Sequence, residues 1–145
     1  MDINVEEFLE TGFDLRKHLS SFLGLGLEDL NRKLPKAADN LALLHPGNFK
    51  AEDSDDFYEN KVGEAHLLDL ASWHLGSSDY IADTLRLQQM FAKGKVLDFG
   101  GGIGTHALAS AAMQNVDHVY FVDLNPDNRE FVQQRAFKLG LDKYL

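Results

Sequence analysis

Four glycines within five positions, Gly100, Gly101, Gly102 and Gly104, separate a short apolar run from a helix-forming stretch. No other feature constrains the chain as tightly. Val96-Leu-Asp-Phe99 reads as a strand carrying one acid, Asp98, and His106 to Met113 reads as a helix. Glycines in such density cost backbone entropy and return no packing, so they mark positive φ or a molecule that touches the backbone. The first turn of the following helix directs free N–H groups toward the turn. The strand–turn–helix unit therefore predicts a nucleotide-like ligand.

A second apolar run, Asp117-His-Val-Tyr-Phe-Val-Asp123, again ends in an acid. Asp123 lies 19 positions after Gly104, close to the ~20-residue spacing at which an acid meets ribose hydroxyls in dinucleotide-binding units. Asn125-Pro-Asp-Asn128 then reads as a turn opening a helix over 129–139 that Gly140 ends, with Phe131, Val132, Ala136 and Leu139 inward.

Val96-Leu-Asp-Phe-Gly-Gly-Gly-Ile-Gly104 resembles motif I of the class I S-adenosylmethionine-dependent methyltransferases, and Asp123 falls where that family places its ribose-binding acid. The resemblance covers roughly residues 95–140. It implies a Rossmann-like α/β fold, S-adenosylmethionine as cofactor, and a binding set of Asp98, Gly100, Gly101, Gly102, Gly104, Asp123 and Leu124. Asp98 would lie near the methionine end of the cofactor. The methyl acceptor and the catalytic residues stay unassigned.

Two other readings remain open. Gly102-Ile-Gly104-Thr-His-Ala107 also fits the G-x-G-x-x-A pattern of a nicotinamide or flavin Rossmann oxidoreductase. Asp98 argues against it, because a carboxylate beside a pyrophosphate repels it, whereas an ammonium and a sulfonium suit it. The third reading is a non-catalytic, methyltransferase-like subunit.

The preceding residues, 1–92, read as an all-helical segment, and 93–145 as a partial cofactor-binding Rossmann-like domain. Helical spacing runs over 5–22 with a break at Gly12, over 27–34, over 35–44 with Ala38, Leu41, Ala42 and Leu44 inward, and over 57–75. In that last helix Phe57, Val62, Ala65, Leu68 and Ser72 share a face. A further helix over 81–91 turns Ile81, Leu85, Gln88 or Met90, and Phe91 inward. Asp53 or Ser54 is expected to cap the helix after the acidic run 51–56, and Ser77 or Ser78 the next. Trp73 reads as core and His106 as surface. By the resemblance, Tyr58, Trp73 and His74 are the candidates for a lid over the cofactor. His66 and His74, eight apart, share a helix face but lack further metal ligands at sensible spacing.

The chain of 145 residues has a formal net charge of −9, no cysteine and 44% hydrophobic residues. The charge argues against nucleic acid as a partner, since phosphates need Lys and Arg. The acidic start lacks a signal peptide's basic and apolar regions, and no apolar run reaches the ~18 residues of a membrane span. A soluble, cytoplasmic protein is the expectation. The family's sheet has seven strands and this sequence carries two. A fragment, inactive alone and binding cofactor weakly or not at all, is therefore expected, with the open edge of the first strand driving self-association or covered by the N-terminal helices.

Overall fold

The computed structural model describes residues 3–145; Met1 and Asp2 of the acidic N-terminus lie outside the described residues. Four helices come first: α1 (Val5–Thr11), α2 (Leu15–Leu23), α3 (Leu27–Lys33) and α4 (Ala37–Leu44). A single turn, α5 (Ser54–Asp56), runs into a π turn over Phe57–Lys61. Then follow α6 (Gly63–Gly76), α7 (Ser78–Phe91), β1 (Gly94–Phe99), α8 (Thr105–Ala111), β2 (Val116–Val122) and α9 (Pro126–Lys138). The chain is mostly helical around one two-stranded parallel sheet, an α/β arrangement. Leu97 lies opposite Tyr120 and Phe99 opposite Val122.

Local chemistry explains the element starts. Asn4 caps α1 by accepting from the N–H groups of Glu6 and Glu7, both acids that favour the positive helix end. Asn125 caps α9 in the same way, accepting from Asp127 and Asn128, with Pro126 at the first helical position. The expected break at Gly12 is a left-handed corner. Gly12, Phe13 and Asp14 have φ of 53°, 50° and 58°, and the last two are the only non-glycine residues with positive φ among those described.

Among the described residues two hydrophobic cores form. One joins Val5, Phe8, Ile81 and Leu85 to Leu108, Val116, Val119 and Ala136. The other joins Leu15, Leu19, Leu30, Leu67 and Ala71 to Ile103 and Phe131. Both draw residues from before and after position 92, so the helical and strand-bearing segments share their interiors.

Several helix faces depart from the expected ones. In α6 the buried residues are Leu67, Ala71 and His74, not Ala65, Leu68 and Ser72. The π turn and the break before Gly63 reset the helical phase, so one period cannot be carried through from Phe57. In α4 only Ala37 is buried, while Ala38, Ala42 and Leu44 are exposed. In α7 Met90 and Phe91 are exposed beside buried Ile81, Ala82 and Leu85. Neither Asp53 nor Ser77 makes a side-chain cap; Ser54 Oγ instead donates to the Ala51 carbonyl at 2.8 Å.

One face of the sheet is covered and the other is bare. Val119 is buried beneath α8, whereas Leu97, Phe99, Tyr120 and Val122 on the opposite face are all exposed, Phe99 by 81%. Along β1 lies a recess of about 370 Å³, lined by Thr84, Gln88, Val96, Asp98, His106 and Ser110 among others. Among the described residues no helix is long and apolar enough to cross a membrane.

Candidate ligand-binding site

The parallel pairing sets the ends of β1 and β2 side by side, so the acids and glycines that follow them converge. Gly100 and Gly101 donate to the Val122 carbonyl at 2.7 and 3.2 Å, which folds the glycine turn over the end of β2. The turn is closed by Asp123, whose Oδ2 accepts from Gly102 N–H at 2.8 Å. Its Oδ1 accepts from Asn125 N–H at 2.8 Å and Asn128 Nδ2 at 3.2 Å. Each carboxylate oxygen offers about two lone-pair positions. Oδ1 is therefore full, and Oδ2 keeps one for another donor.

The glycines face different neighbours. A Cβ on Gly101 would collide with Phe121 Cε2 and meet Asp98 Oδ2 at 2.7 Å. One on Gly102 would meet Leu70 of α6 at 2.8 Å, and one on Gly104 would meet Val132 of α9 at 2.7 Å. Gly100, at φ 69°, has nothing within 4 Å of that position. The backbone is thus open to a ligand at Gly100, while the other three glycines serve close packing. Leu124 is half exposed beside Asp123.

Asp98 lies under the turn with Oδ2 buried and without a partner. Burial pushes its carboxyl above the usual range; His106 and the Ala107 N–H pull the other way, and the Asp123 charge adds to the rise. Asp98 therefore sits closer to its neutral form than an exposed acid, and its repulsion of a pyrophosphate is weaker than full charge implies. His106 is half-buried at the β1 recess rather than free on the surface. Its Nδ1 lies 2.8 Å from Gln88 Oε1. Gln88 Nε2 donates to the His106 carbonyl at 2.7 Å and to Ser110 Oγ, which fixes the amide orientation and makes His106 Nδ1 the donor.

Helix α6 covers the turn. Leu70 packs on Gly102, and the Gly63 carbonyl accepts from Asn125 Nδ2 at 3.1 Å, which ties the start of α6 to the Asp123 loop. Of the three lid candidates, Tyr58 makes a ring contact with His66 at 5.1 Å. His74 is buried at the foot of the turn, with Nδ1 2.9 Å from Thr105 Oγ1. Burial, with Arg135 and His106 adding, lowers its pKa to about 4. Trp73, expected as core, is 52% exposed against Tyr80. Among the described residues no three His, Asp or Glu side chains gather into a metal site.

Arg135 escaped the sequence reading altogether. It is fully buried, donating to the carbonyls of Ile103 and Gly12, each at 2.9 Å, and to His18 Nδ1 at 3.2 Å. None of the three is an acid. Burial lowers its pKa to about 9. The signal was present: position 135 falls on the stripe of Phe131, Val132 and Ala136.

Comparison with family models, with curated proteins and with solved structures finds no match for the chain. The assignment of the site therefore rests on its own residues. Among the described residues three buried side-chain atoms lack hydrogen-bond partners, Asp98 Oδ2, His66 Nδ1 and Asn128 Oδ1, and each belongs to the turn's surroundings. Asn128 donates to Asp123, the Asp123 charge acts on His66, and Asp98 lies against Gly101. Orphaned buried polar atoms are rare and costly. Three around one glycine turn fit a place where a polar ligand supplies the missing partners.

Proposed function

We propose that the chain carries the S-adenosylmethionine-binding elements of a Rossmann-like class I methyltransferase. The observation that carries this reading is the pair of acids bordering the glycine turn, Asp98 against Gly101 and Asp123 on the Gly102 N–H. Asp98 brings a buried, unpartnered carboxyl oxygen, and Asp123 has one acceptor position to spare. An ammonium group beside Asp98 would favour its ionised form and reverse the upward push of burial. The remaining lone pair of Asp123 suits a ribose hydroxyl. The open backbone at Gly100 lets the ligand approach between them.

When bound, the cofactor supplies an electrophilic methyl group on a sulfonium. The residues of this chain hold and orient it, which is where such a fold contributes most. Arg135 fixes the turn from behind through the Ile103 carbonyl, and Asn125 and Asn128 fix the Asp123 carboxylate.

Amide NMR titration with S-adenosylhomocysteine and, separately, NAD to millimolar concentration tests the reading. The homocysteine ligand should shift the amides of residues 98–104 and 123–125, and NAD should leave them in place. Shifts with NAD alone, or with neither ligand, would overturn it.

A further inference from the structure

The hydrogen-bond inventory of Asp123 has a chemical consequence for the proposed nucleoside. A ribose presents a vicinal diol, two O–H groups that both seek partners. A carboxylate with free oxygens can accept both. Here Gly102, Asn125 and Asn128 already occupy three of the positions on Asp123, so a single acceptor remains for two hydroxyls.

The second hydroxyl needs another polar atom at the same place. Two orphaned buried atoms belong to residues around Asp123: Asn128 Oδ1, on a side chain that donates to the carboxylate, and His66 Nδ1, on the helix tied to the Asp123 loop through Gly63 and Asn125. Asn128 is entirely enclosed, at 0% exposure, on the first turn of α9. His66 as a residue is only half-buried, although its Nδ1 is itself enclosed. It lies one turn beyond Gly63, whose carbonyl is tied to the Asp123 loop by Asn125, and Tyr58 packs against its ring.

We propose that His66 is a ribose-binding residue that takes the second hydroxyl of the diol while Asp123 takes the first. The inference rests on the S-adenosylmethionine reading and extends it to the helix covering the site. Burial holds the His66 imidazole below its ordinary pKa, opposed by Asp123 and Asp69. A neutral ring can donate or accept through Nδ1, and a hydroxyl accommodates either. Tyr58 acts as a positioning residue that holds the ring over the site.

Dissociation constants from amide NMR for the wild-type chain, His66→Ala and His66→Gln decide the matter, each with 5′-methylthioadenosine and its 2′,3′-dideoxy analogue. His66→Ala should weaken binding of the parent nucleoside by about 3- to 10-fold, the loss of one neutral hydrogen bond. It should leave the dideoxy analogue unchanged. His66→Gln, which keeps a polar group there, should recover part of the loss. Equal weakening of both nucleosides, or of neither, would refute the role of His66 while leaving the cofactor reading intact. A wild-type chain that binds neither methylthioadenosine nor S-adenosylhomocysteine would sink both.

Discussion

Arg135 donates to the Gly12 carbonyl at 2.9 Å, so α9 grips the corner at which the chain turns left-handed. The same guanidinium holds Ile103 within the glycine turn and His18 on α2. One side chain thus ties three separate segments together. A lysine offers a point charge in place of the planar fork and cannot reach three acceptors at once. Arg135→Lys should cost about 3 kcal/mol, as buried carbonyls lose their donors. Urea denaturation would measure it, and a loss under 1 kcal/mol would contradict the clamp.

The corner itself stores strain. Asp14 adopts φ 58° with a Cβ, at roughly 1–2 kcal/mol for such a conformation. Its ion pair with Lys17 is solvent-exposed and worth little. Asp14→Gly should therefore stabilise the protein by about 0.5–1 kcal/mol, after the added chain entropy of glycine is counted. A rise in the denaturation midpoint at unchanged slope is the expected result.

Acid should weaken the fold before its carboxylates titrate. His74 and His18 are both held neutral, with pKa lowered to about 4. Their folded values lie below the unfolded value near 6.5, so the unfolded chain binds more protons in between. Stability is then intact above about pH 6.5 and falls as pH drops toward about 4. His74 contributes a loss on the order of 3 kcal/mol, with His18 acting in the same direction. His74→Gln should flatten this part of a stability-versus-pH curve.

Asp123 has a structural duty beside its proposed role with ribose. Asp123→Asn puts an amide where Gly102 N–H or Asn125 N–H needs an acceptor. The turn should lose about 1–3 kcal/mol even without ligand. Faster hydrogen exchange at the Gly102 amide, measured against the wild type, is the direct sign.

The bare sheet face should make the protein associate. Leu97, Phe99, Tyr120 and Val122 form an exposed apolar set across both strands, and such patches seek cover. Phe99→Lys should shift sedimentation velocity profiles toward monomer. Identical profiles for the two proteins would exclude this face as the contact.

How far the sequence could be read depended on how local each signal was. The two strands, the glycine turn and Asp123 were legible because apolar runs, glycines and acids declare themselves within a few residues. The left-handed corner was foreshadowed by Gly12, though not the positive φ of Phe13 and Asp14. The face of α6 was lost because the π turn at Phe57–Lys61 changes the phase midway. Arg135 was missed because a cation in an apolar stripe is ordinarily taken as the stripe's edge, and its three acceptors come from segments far away in the chain. His106 was misplaced for a similar reason, since Gln88 reaches it from the preceding helix. His66 drew notice only as a possible metal ligand and Asn128 only as a turn residue, because nothing local in the sequence sets either beside Asp123.

The glycine turn described above answers to a different part of the molecule at each position. Gly101 is set by the second strand, Gly102 by Leu70 and Gly104 by Val132. A side chain added at any of these would be felt first by another element. The turn therefore behaves like a bearing with three races, where wear at one point is heard somewhere else. Mutational scans across it would return three distinct phenotypes, one for the sheet, one for the covering helix and one for α9, and only Gly100 would report on the ligand by itself.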